Sequence, residues 1–332
     1  MDAWVVSGRP GGPGRVVRVV RPEPRPAPDE LLVRVRACGV CRTDLHLADL
    51  ELAPRAPERV PGHEVVGVVA GRGTAVTGWH EGERVGIAWL RATCRACRWC
   101  RTGQENLCRS SRYTGWDADG GFAEYAVVPA DFAHRLPEGL DDVEAAPLLC
   151  SGIIGFRALR RARVGPGGHV GLYGFGASAH LTAQLALAEG LHVHAFSREP
   201  AARALALELG ADWAGDVTDE PPMPLEGAVL FAPVGELVPV ALAALDQGGT
   251  LAVACIHLSD VPPLDYQAHL FRERTLTSVT ANTRQDAHEL LSLAESQGLR
   301  PRVTTYDLAD TDRALEDLAS GRVTGAAVVR VG

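Results

Sequence analysis

The chain has 332 residues, of which 46% are hydrophobic and 22% charged, and its formal net charge is −8. This length suffices for two domains, and the acidity without a dominant Lys/Arg run excludes nucleic acid as an expected partner. No run of 18 apolar residues predicts a membrane span, and the first residues do not resemble a signal peptide, so we expect a cytoplasmic protein.

The N-terminal third predicts β-structure. Short β-branched or alternating runs are typical of strands, and they occur at residues 3–6, 15–20, 30–36, 64–70, 84–88 and 120–128. The Pro-rich residues 21–28 cannot form a regular ladder and predict a surface connection. Closely spaced strands separated by Gly and Pro indicate a partly closed β-barrel-like domain.

Three separate segments of this region carry candidate metal ligands. They are Cys41 in Cys-Gly-Val-Cys-Arg-Thr-Asp-Leu-His, His63 in Pro-Gly-His-Glu, and Cys150 in Leu-Leu-Cys-Ser-Gly. Two thiolates and an imidazole would make a three-ligand zinc site whose fourth position stays open, as in catalytic zinc sites. Ordinary buried cysteines and a satisfied histidine are the alternative.

A second metal signal lies between the predicted strands. Four cysteines follow the spacing C-x2-C-x2-C-x7-C, at Cys94, Cys97, Cys100 and Cys108. Four thiolates fill a tetrahedral zinc ion completely, so this zinc would be structural. An iron–sulfur cluster also uses four cysteines and is the competing interpretation, although the polar, basic loop favours zinc.

From about residue 156 the pattern changes to alternating strands and helices. A strand at 168–173, the run Gly174-Phe175-Gly176-Ala177-Ser178, a helix at 181–188 and a strand at 192–196 form a βαβ unit with a G-x-G-x-x-A turn. Such glycines allow close approach to a pyrophosphate, and the helix N-terminus offers it free N–H groups.

The remaining elements continue the alternation. We predict helices at 201–209, 234–245, 286–295 and 312–319, and strands at 227–232, 249–254 and 326–330. The central part of this pattern predicts a parallel, doubly wound sheet.

These motifs, in this order, resemble the zinc-dependent medium-chain alcohol dehydrogenases, in particular the bacterial branch related to cinnamyl alcohol dehydrogenases. The resemblance covers essentially the whole chain. It implies an α/β fold with a GroES-like catalytic domain at 1–155, whose structural zinc lobe spans about 91–110. A Rossmann domain at 156–283 follows, and residues 284–332 return to the catalytic domain.

The resemblance also implies roles at the first metal site. Cys41, His63 and Cys150 would hold the catalytic zinc, Glu64 would lie behind it, and Asp44 would accept a hydrogen bond from the ligand histidine. Thr43 and His46 would pass the substrate proton to solvent, and Arg42 would face the cofactor pyrophosphate. The residues expected to line the substrate cleft are Trp89, Leu90 and Trp116, with core packing as their alternative.

The implied reaction is reversible hydride transfer between a primary aliphatic or aromatic alcohol and NAD(P)⁺, with two zinc ions per chain. Ser197 stands where NAD-preferring relatives carry an acid, and Arg198 follows it, so we favour NADP(H). Glu199 keeps NAD(H) open, and no arginine occurs at 325–327, where some relatives contact the cofactor.

Two other functions compete with this one. A zinc-free quinone or enoyl reductase shares the fold but lacks the ligand set, and a non-catalytic metal- or nucleotide-binding redox sensor would not need the Thr43–His46 path. The expected partners are a small alcohol or aldehyde and further copies of the chain, as a dimer or tetramer.

Overall fold

The computed structural model describes residues 1–8 and 15–332, and this part of the chain forms two compact units. The first contains residues 1–150, 281–296 and 301–332, and the second contains residues 151–280 and 297–300. Among the described residues, no helix is long and apolar enough to cross a membrane.

Antiparallel strands dominate the first unit. Its strands are β1 (Asp2–Ser7), β2 (Arg15–Val20), β3 (Glu30–Val40), β4 (Glu64–Arg72), β5 (Arg84–Ile87), β6 (Leu90–Ala92), β7 (Arg112–Tyr113), β8 (Tyr125–Pro129), β9 (Ala133–His134), β16 (Val303–Asp307) and β17 (Ala326–Arg330). Its helices are α1 (Arg42–Ala48), α2 (Arg98–Arg101), α3 (Asp142–Ala145), α9 (Arg284–Ser296) and α10 (Thr311–Ala319). A 3-10 segment, Ala146–Leu149, follows α3 and leads to Cys150.

The main sheet of this unit has the order β16-β17-β3-β4-β5-β9, and β8 also pairs with β3. Most residues of β3 are buried, since Leu31, Val33 and Val35 point into the barrel core, while Arg34 and Arg36 remain exposed. Strand β17 pairs antiparallel with β3, and its Val329 joins the same core. The C-terminal segment therefore completes the barrel that the N-terminal strands begin.

The second unit is a six-stranded, fully parallel sheet with helices. Its strands are β10 (His169–Tyr173), β11 (His192–Phe196), β12 (Trp213–Gly215), β13 (Leu225–Leu230), β14 (Leu245–Val253) and β15 (Thr275–Ser278). Its helices are α4 (Ser151–Ala162), α5 (Ala177–Ala188), α6 (Pro200–Glu208), α7 (Leu237–Ala243) and α8 (Tyr266–His269). The order β12-β11-β10-β13-β14-β15 is that of a doubly wound dinucleotide-binding sheet.

The predicted α/β fold class is confirmed, but many predicted elements begin or end at other residues than observed. The helix predicted at 234–245 is shorter, because residue 245 already pairs with β13 as the first residue of β14. The strand predicted at 120–128 is confined to β8, because residues 120–122 instead bond to the backbone around Pro61 and Gly62. Before Cys150, the backbone changes from the α-helix α3 to 3-10 geometry at Ala146.

Candidate active site

Four side chains of the first unit converge at one point. The ligand atoms of Cys41, His63, Glu64 and Cys150 all lie within 4.8 Å of one another. His63 and Glu64 are fully buried, while the two cysteines are partly exposed. The structure thus brings together the three predicted ligands and the acid predicted to stand behind them.

The β3–β4 ladder explains why three of these residues meet. Strand β3 ends directly before Cys41, β4 begins at Glu64 directly after His63, and in the antiparallel register Gly39 faces Glu64. A Cβ atom at Gly39 would clash with Oε2 of Glu64, so only glycine leaves room for that buried carboxylate. Cys150 comes from a different direction, at the end of the 3-10 segment that packs on β3 and β4.

Asp44 is hydrogen-bonded to the segments that carry Cys41 and His63. Its Oδ2 accepts a hydrogen bond from the N–H of Cys41 at 3.0 Å, and its Oδ1 accepts one from the N–H of Gly62 at 3.0 Å. The same Oδ1 lies 3.2 Å from Nδ1 of His63. A proton on Nδ1 leaves the lone pair of Nε2 free, which is the tautomer that a metal-binding imidazole needs.

The electrostatics of the group suit a cation. A hydrogen bond from Cys150 lowers the pKa of Cys41 well below its ordinary value, and His63 acts in the same direction against the effect of burial. Burial would lower the pKa of His63, but the charges of Asp44 and Cys41 outweigh burial and raise it. The buried Nε2 of His63 has no hydrogen-bond partner among the described residues. Two sulfurs and an unpartnered imidazole nitrogen fit a zinc ion.

Helix α1 carries the predicted proton path. Cys41 is its N-cap, Thr43 is buried in its first turn, and His46 stands one turn further on, on the same face. Nδ1 of His46 lies 2.6 Å from Oε2 of Glu51, whose side chain is 56% exposed. Glu51 lies beyond the end of α1, so helical spacing could not have predicted this contact.

Aromatic side chains lie beside His63. The ring of Trp89 is tilted against His63 at 6.3 Å and stacks on Tyr113 at 4.2 Å, and Tyr113 in turn stacks on Trp116 at 5.8 Å. Leu90 is only 1% exposed and packs in the barrel core. The structure therefore places Trp89 next to the metal group and Leu90 in the core.

The four-cysteine lobe is preformed for a single ion. The four sulfurs lie within 4.8 Å of one another, with Cys97 to Cys100 at 3.5 Å and Cys94 to Cys100 at 3.9 Å. Tetrahedral zinc with bonds of about 2.3 Å places its sulfurs about 3.8 Å apart, whereas the irons of a multinuclear cluster separate their cysteines more widely. This spacing favours zinc. Backbone N–H groups of Ala96 and Cys97 lower the pKa of Cys94 to about 6.

The glycine-rich turn of the second unit joins β10 to α5. Gly174 has φ +86°, and a Cβ there would approach the N–H of Ala232 to 2.8 Å. Gly176 is the N-cap of α5, and no side chain in the described part of the chain caps this helix. Ala177 and Ser178 form the first turn, while Phe175 is buried. The turn lies between β10 and β13, where the strand order reverses, which is the usual dinucleotide site.

Next to this turn, β11 ends at the residues predicted to select the cofactor. Ser197 is buried and its Oγ accepts a hydrogen bond from the N–H of Glu199 at 3.2 Å, while Arg198 is exposed. Arg203 of α6 donates to the carbonyl of Ser197 at 2.6 Å. Sequence analysis missed Arg203, because a helical arginine carries no motif of its own.

Comparison with known proteins agrees with this geometry. Residues 27–138 match the alcohol dehydrogenase GroES-like domain, and residues 209–329 match the zinc-binding dehydrogenase domain. A probable alcohol dehydrogenase from Mycobacterium tuberculosis is 56% identical over 100% of this chain and 97% of its own. A cinnamyl alcohol dehydrogenase structure from Sorghum bicolor has TM-score 0.90 and 28% identity, over 99% of this chain and 97% of that one. A putative zinc-binding dehydrogenase from Sinorhizobium meliloti, solved bound to NADP, has TM-score 0.88 and 28% identity over 99% of both chains.

The fold and the site define an NAD(P)-dependent alcohol oxidoreductase. The chain belongs to the zinc-binding alcohol dehydrogenase family, as the resemblance predicted. The reaction class predicted from the sequence is therefore confirmed. Family membership and the ligand group also argue against a zinc-free reductase.

Proposed function

We propose that Cys41, His63 and Cys150 hold a catalytic zinc ion at which primary alcohols and aldehydes are interconverted. The observation that carries this assignment is the unpartnered, buried Nε2 of His63 beside the two sulfurs. A zinc ion bound there supplies a Lewis acid that lowers the pKa of an alcohol hydroxyl. Glu64 completes the group as a nearby carboxylate, and Asp44 fixes the tautomer of His63.

The residues of α1 then move the proton. The Thr43 hydroxyl would take the proton from the substrate hydroxyl and pass it toward His46. Glu51 holds the imidazole of His46 by its Nδ1 and is itself exposed, so it would hand the proton to solvent. Arg42, exposed at the first position of α1, would contact the cofactor pyrophosphate as a permanent cation.

We favour NADP(H) as the cofactor, bound at the turn from Gly174 to Ser178. At the end of β11 no carboxylate occupies position 197, so a ribose 2′-hydroxyl would lack its usual acceptor. Arg198 is exposed, and Arg203 stands beside Ser197, so both could pair with a 2′-phosphate. The NADP-bound relative from Sinorhizobium meliloti supports this preference.

The tilted Trp89 beside His63 supports an apolar cleft for aliphatic or aromatic substrates, with Trp116 further along the same aromatic row. Leu90 would support the aromatic side chains of the cleft from the barrel core. We assign the functional domains to residues 1–155, 156–283 and 284–332. A cytoplasmic location fits the two thiol ligand groups, because a reducing compartment keeps thiols available to metals.

We also propose a homo-oligomer formed through β15. This strand ends the sheet of the second unit and, in the described part of the chain, pairs only with β14. Leu276 in β15 is 40% exposed, and Tyr266 and Phe271 are 60% and 57% exposed nearby. An unpaired edge with exposed apolar side chains is a surface for pairing with a second copy. A sedimentation mass of one chain at micromolar concentration would contradict this proposal.

Parallel rates of NADPH and NADH oxidation with benzaldehyde test the proposed reaction and cofactor. We expect the higher rate with NADPH, and an Arg203→Ala variant should raise the KM for NADPH roughly tenfold, the cost of one charged hydrogen bond, while leaving NADH unaffected. Arg198→Ala removes the other arginine proposed to pair with the 2′-phosphate and is measured in the same way. Faster turnover with NADH would refute the cofactor preference. No turnover by zinc-loaded protein with a panel of aldehydes would refute the reaction.

A further inference from the structure

An ion pair between the buried Glu105 and the partly exposed Arg284 fastens the four-cysteine lobe to helix α9. Glu105 lies in the 3-10 turn that precedes Cys108 and is only 6% exposed. Its Oε1 accepts hydrogen bonds from the N–H and the Nε of Arg284, both at 2.9 Å, and its Oε2 accepts one from Nη2 at 2.7 Å. The carboxylate of Glu105 is thus hydrogen-bonded to both the backbone and the guanidinium of Arg284, the first residue of α9.

The surroundings of this pair keep it rigid. The guanidinium of Arg284 lies over the ring of Phe132 at 4.7 Å, and its Nη1 donates to the carbonyl of Asp131 at 3.3 Å. Burial would raise the pKa of Glu105, but the hydrogen bonds from Arg284 outweigh burial and lower it. Glu105 is no part of the four-sulfur group, so this carboxylate is free to act as an anchor.

Helix α9 leads from this anchor to the other metal group. Thr283 and Asp286 cap its start through hydrogen bonds of 2.7 and 2.8 Å. The helix buries an apolar face that includes Ala287 and Leu290, and it packs against the 3-10 segment Ala146–Leu149. That segment ends at Cys150, which, unlike Cys41 and His63, does not directly adjoin the β3–β4 ladder.

We infer that the Glu105–Arg284 pair is a positioning device. The pair attaches α9 to the four-cysteine lobe, whose fold its own metal stabilises. Helix α9 in turn holds the 3-10 segment that presents Cys150 to the catalytic metal. The lobe has little apolar content, so its fold depends on its own metal, and the ion pair passes that rigidity on. This inference rests on the proposed ligand role of Cys150. It assigns to Glu105 and Arg284 a role in retaining the catalytic ion although neither contacts it.

The rate at which the catalytic ion leaves the holoenzyme tests the inference. After exchange with Co²⁺, the ion at the open site is recognised because its visible absorption responds to added alcohol. Its loss into excess EDTA is followed at that band. Changing partners behind a ligand typically alters metal affinity 10–100-fold. Glu105 does not contact a metal ligand directly, so for Glu105→Gln we expect an effect at the lower end of this range, with metal release about tenfold faster. Both ions should still be bound before EDTA is added.

Two variants separate positioning from general loss of stability. Arg284→Lys keeps the positive charge but loses the planar set of N–H donors of the guanidinium. Its rate of metal release should therefore lie between the wild-type and Glu105→Gln rates. Glu30→Gln breaks a comparable pair, Glu30 with Arg91 at 2.8 Å, where the side chains are 17% and 6% exposed. That pair lies at the opposite end of β3 from Cys41, so we expect its loss to lower the melting temperature without speeding release.

Each outcome bears on a different proposal. Equal release from Glu105→Gln and wild type would overturn the inference, and so would equal acceleration in Glu30→Gln. If Glu105→Gln does not fold, the same comparison is made with Arg284→Lys. A wild-type protein with no alcohol-sensitive Co²⁺ band would instead overturn the proposed catalytic site. The inference is supported only if release is accelerated in the Glu105 or Arg284 variants and not in the Glu30 variant.

Discussion

Asp44→Asn removes one charge next to the proposed zinc ligands Cys41 and His63 and leaves the shape of the side chain almost unchanged. The carboxylate is fully buried, bonds the N–H groups of Cys41 and Gly62, and lies 3.2 Å from Nδ1 of His63. The charge of Asp44 is the largest of the effects that raise the pKa of His63 against burial. An amide can replace one or two of these contacts but cannot accept three hydrogen bonds with its NH2 group turned toward a donor.

The expected cost follows from this geometry. The partner of a metal-binding histidine is typically worth 10–100-fold in metal affinity, which corresponds to about 1.4–2.7 kcal/mol. Because all three contacts of Asp44 converge on ligand-bearing backbone or on the ligand itself, we expect a value near the upper end. The second zinc, in the four-cysteine lobe, should be unaffected, since Asp44 is not part of that group.

Competition titration with a zinc chelator measures this change directly, and one further variant is the matched control. Asp265 caps α8 through the N–H of Ala268 at 2.7 Å, as Asp44 closes the capping box of α1, but it belongs to neither metal group. Asp265→Asn should therefore lose some thermal stability and no zinc affinity. If Asp44→Asn bound the more weakly held zinc as tightly as wild type, the role assigned to Asp44 would be refuted.

Two further predictions concern protonation. Burial, followed by the charge of Arg284, lowers the pKa of His134 to about 4, so its contribution to stability is complete above about pH 6.5 and is lost as the pH falls toward 4. The loss should reach about 3 kcal/mol, and denaturant unfolding should show a flatter pH profile for His134→Gln; parallel profiles would contradict it. Thr43→Ala should slow alcohol oxidation about a hundredfold while zinc stays bound, and Thr43→Ser should restore much of the rate. An undiminished Thr43→Ala rate would remove Thr43 from the proton path.

Features encoded within one short segment could be predicted from the sequence. The spacing from Cys94 to Cys108 predicted a four-sulfur group, and the glycine turn at Gly174 predicted a strand-to-helix crossing, because both signals lie within one short segment. The grouping of Cys41, His63 and Cys150 was predicted from residue types in three separate segments, and the family resemblance then implied a catalytic zinc, although over a hundred residues separate the first from the last. The meeting of Cys41 and His63 depends on the β3–β4 register, and Cys150 joins them from a third segment, so no single segment encodes the group.

The contacts that sequence analysis missed join segments that are distant in the chain or lie outside a periodic element. Glu51 reaches His46 from beyond the end of α1, and Arg284 reaches Glu105 across 179 positions. Gly39 carries no signal until the register shows that it faces Glu64. Leu90, predicted near the substrate with core packing as the alternative, is 1% exposed and packs in the barrel core.

The zinc content and alcohol oxidation rate of Cys150→Ala, measured on one preparation, test the central claim most directly. We predict two zinc ions per chain in the wild type and one in the variant, with an alcohol oxidation rate at least about a hundredfold lower. The circular dichroism spectrum should be unchanged, because Cys150 is only partly buried and replacing its thiol by a methyl group removes no backbone hydrogen bond. A variant that retains the wild-type rate with one zinc ion fewer would contradict the claim that this ion performs the chemistry.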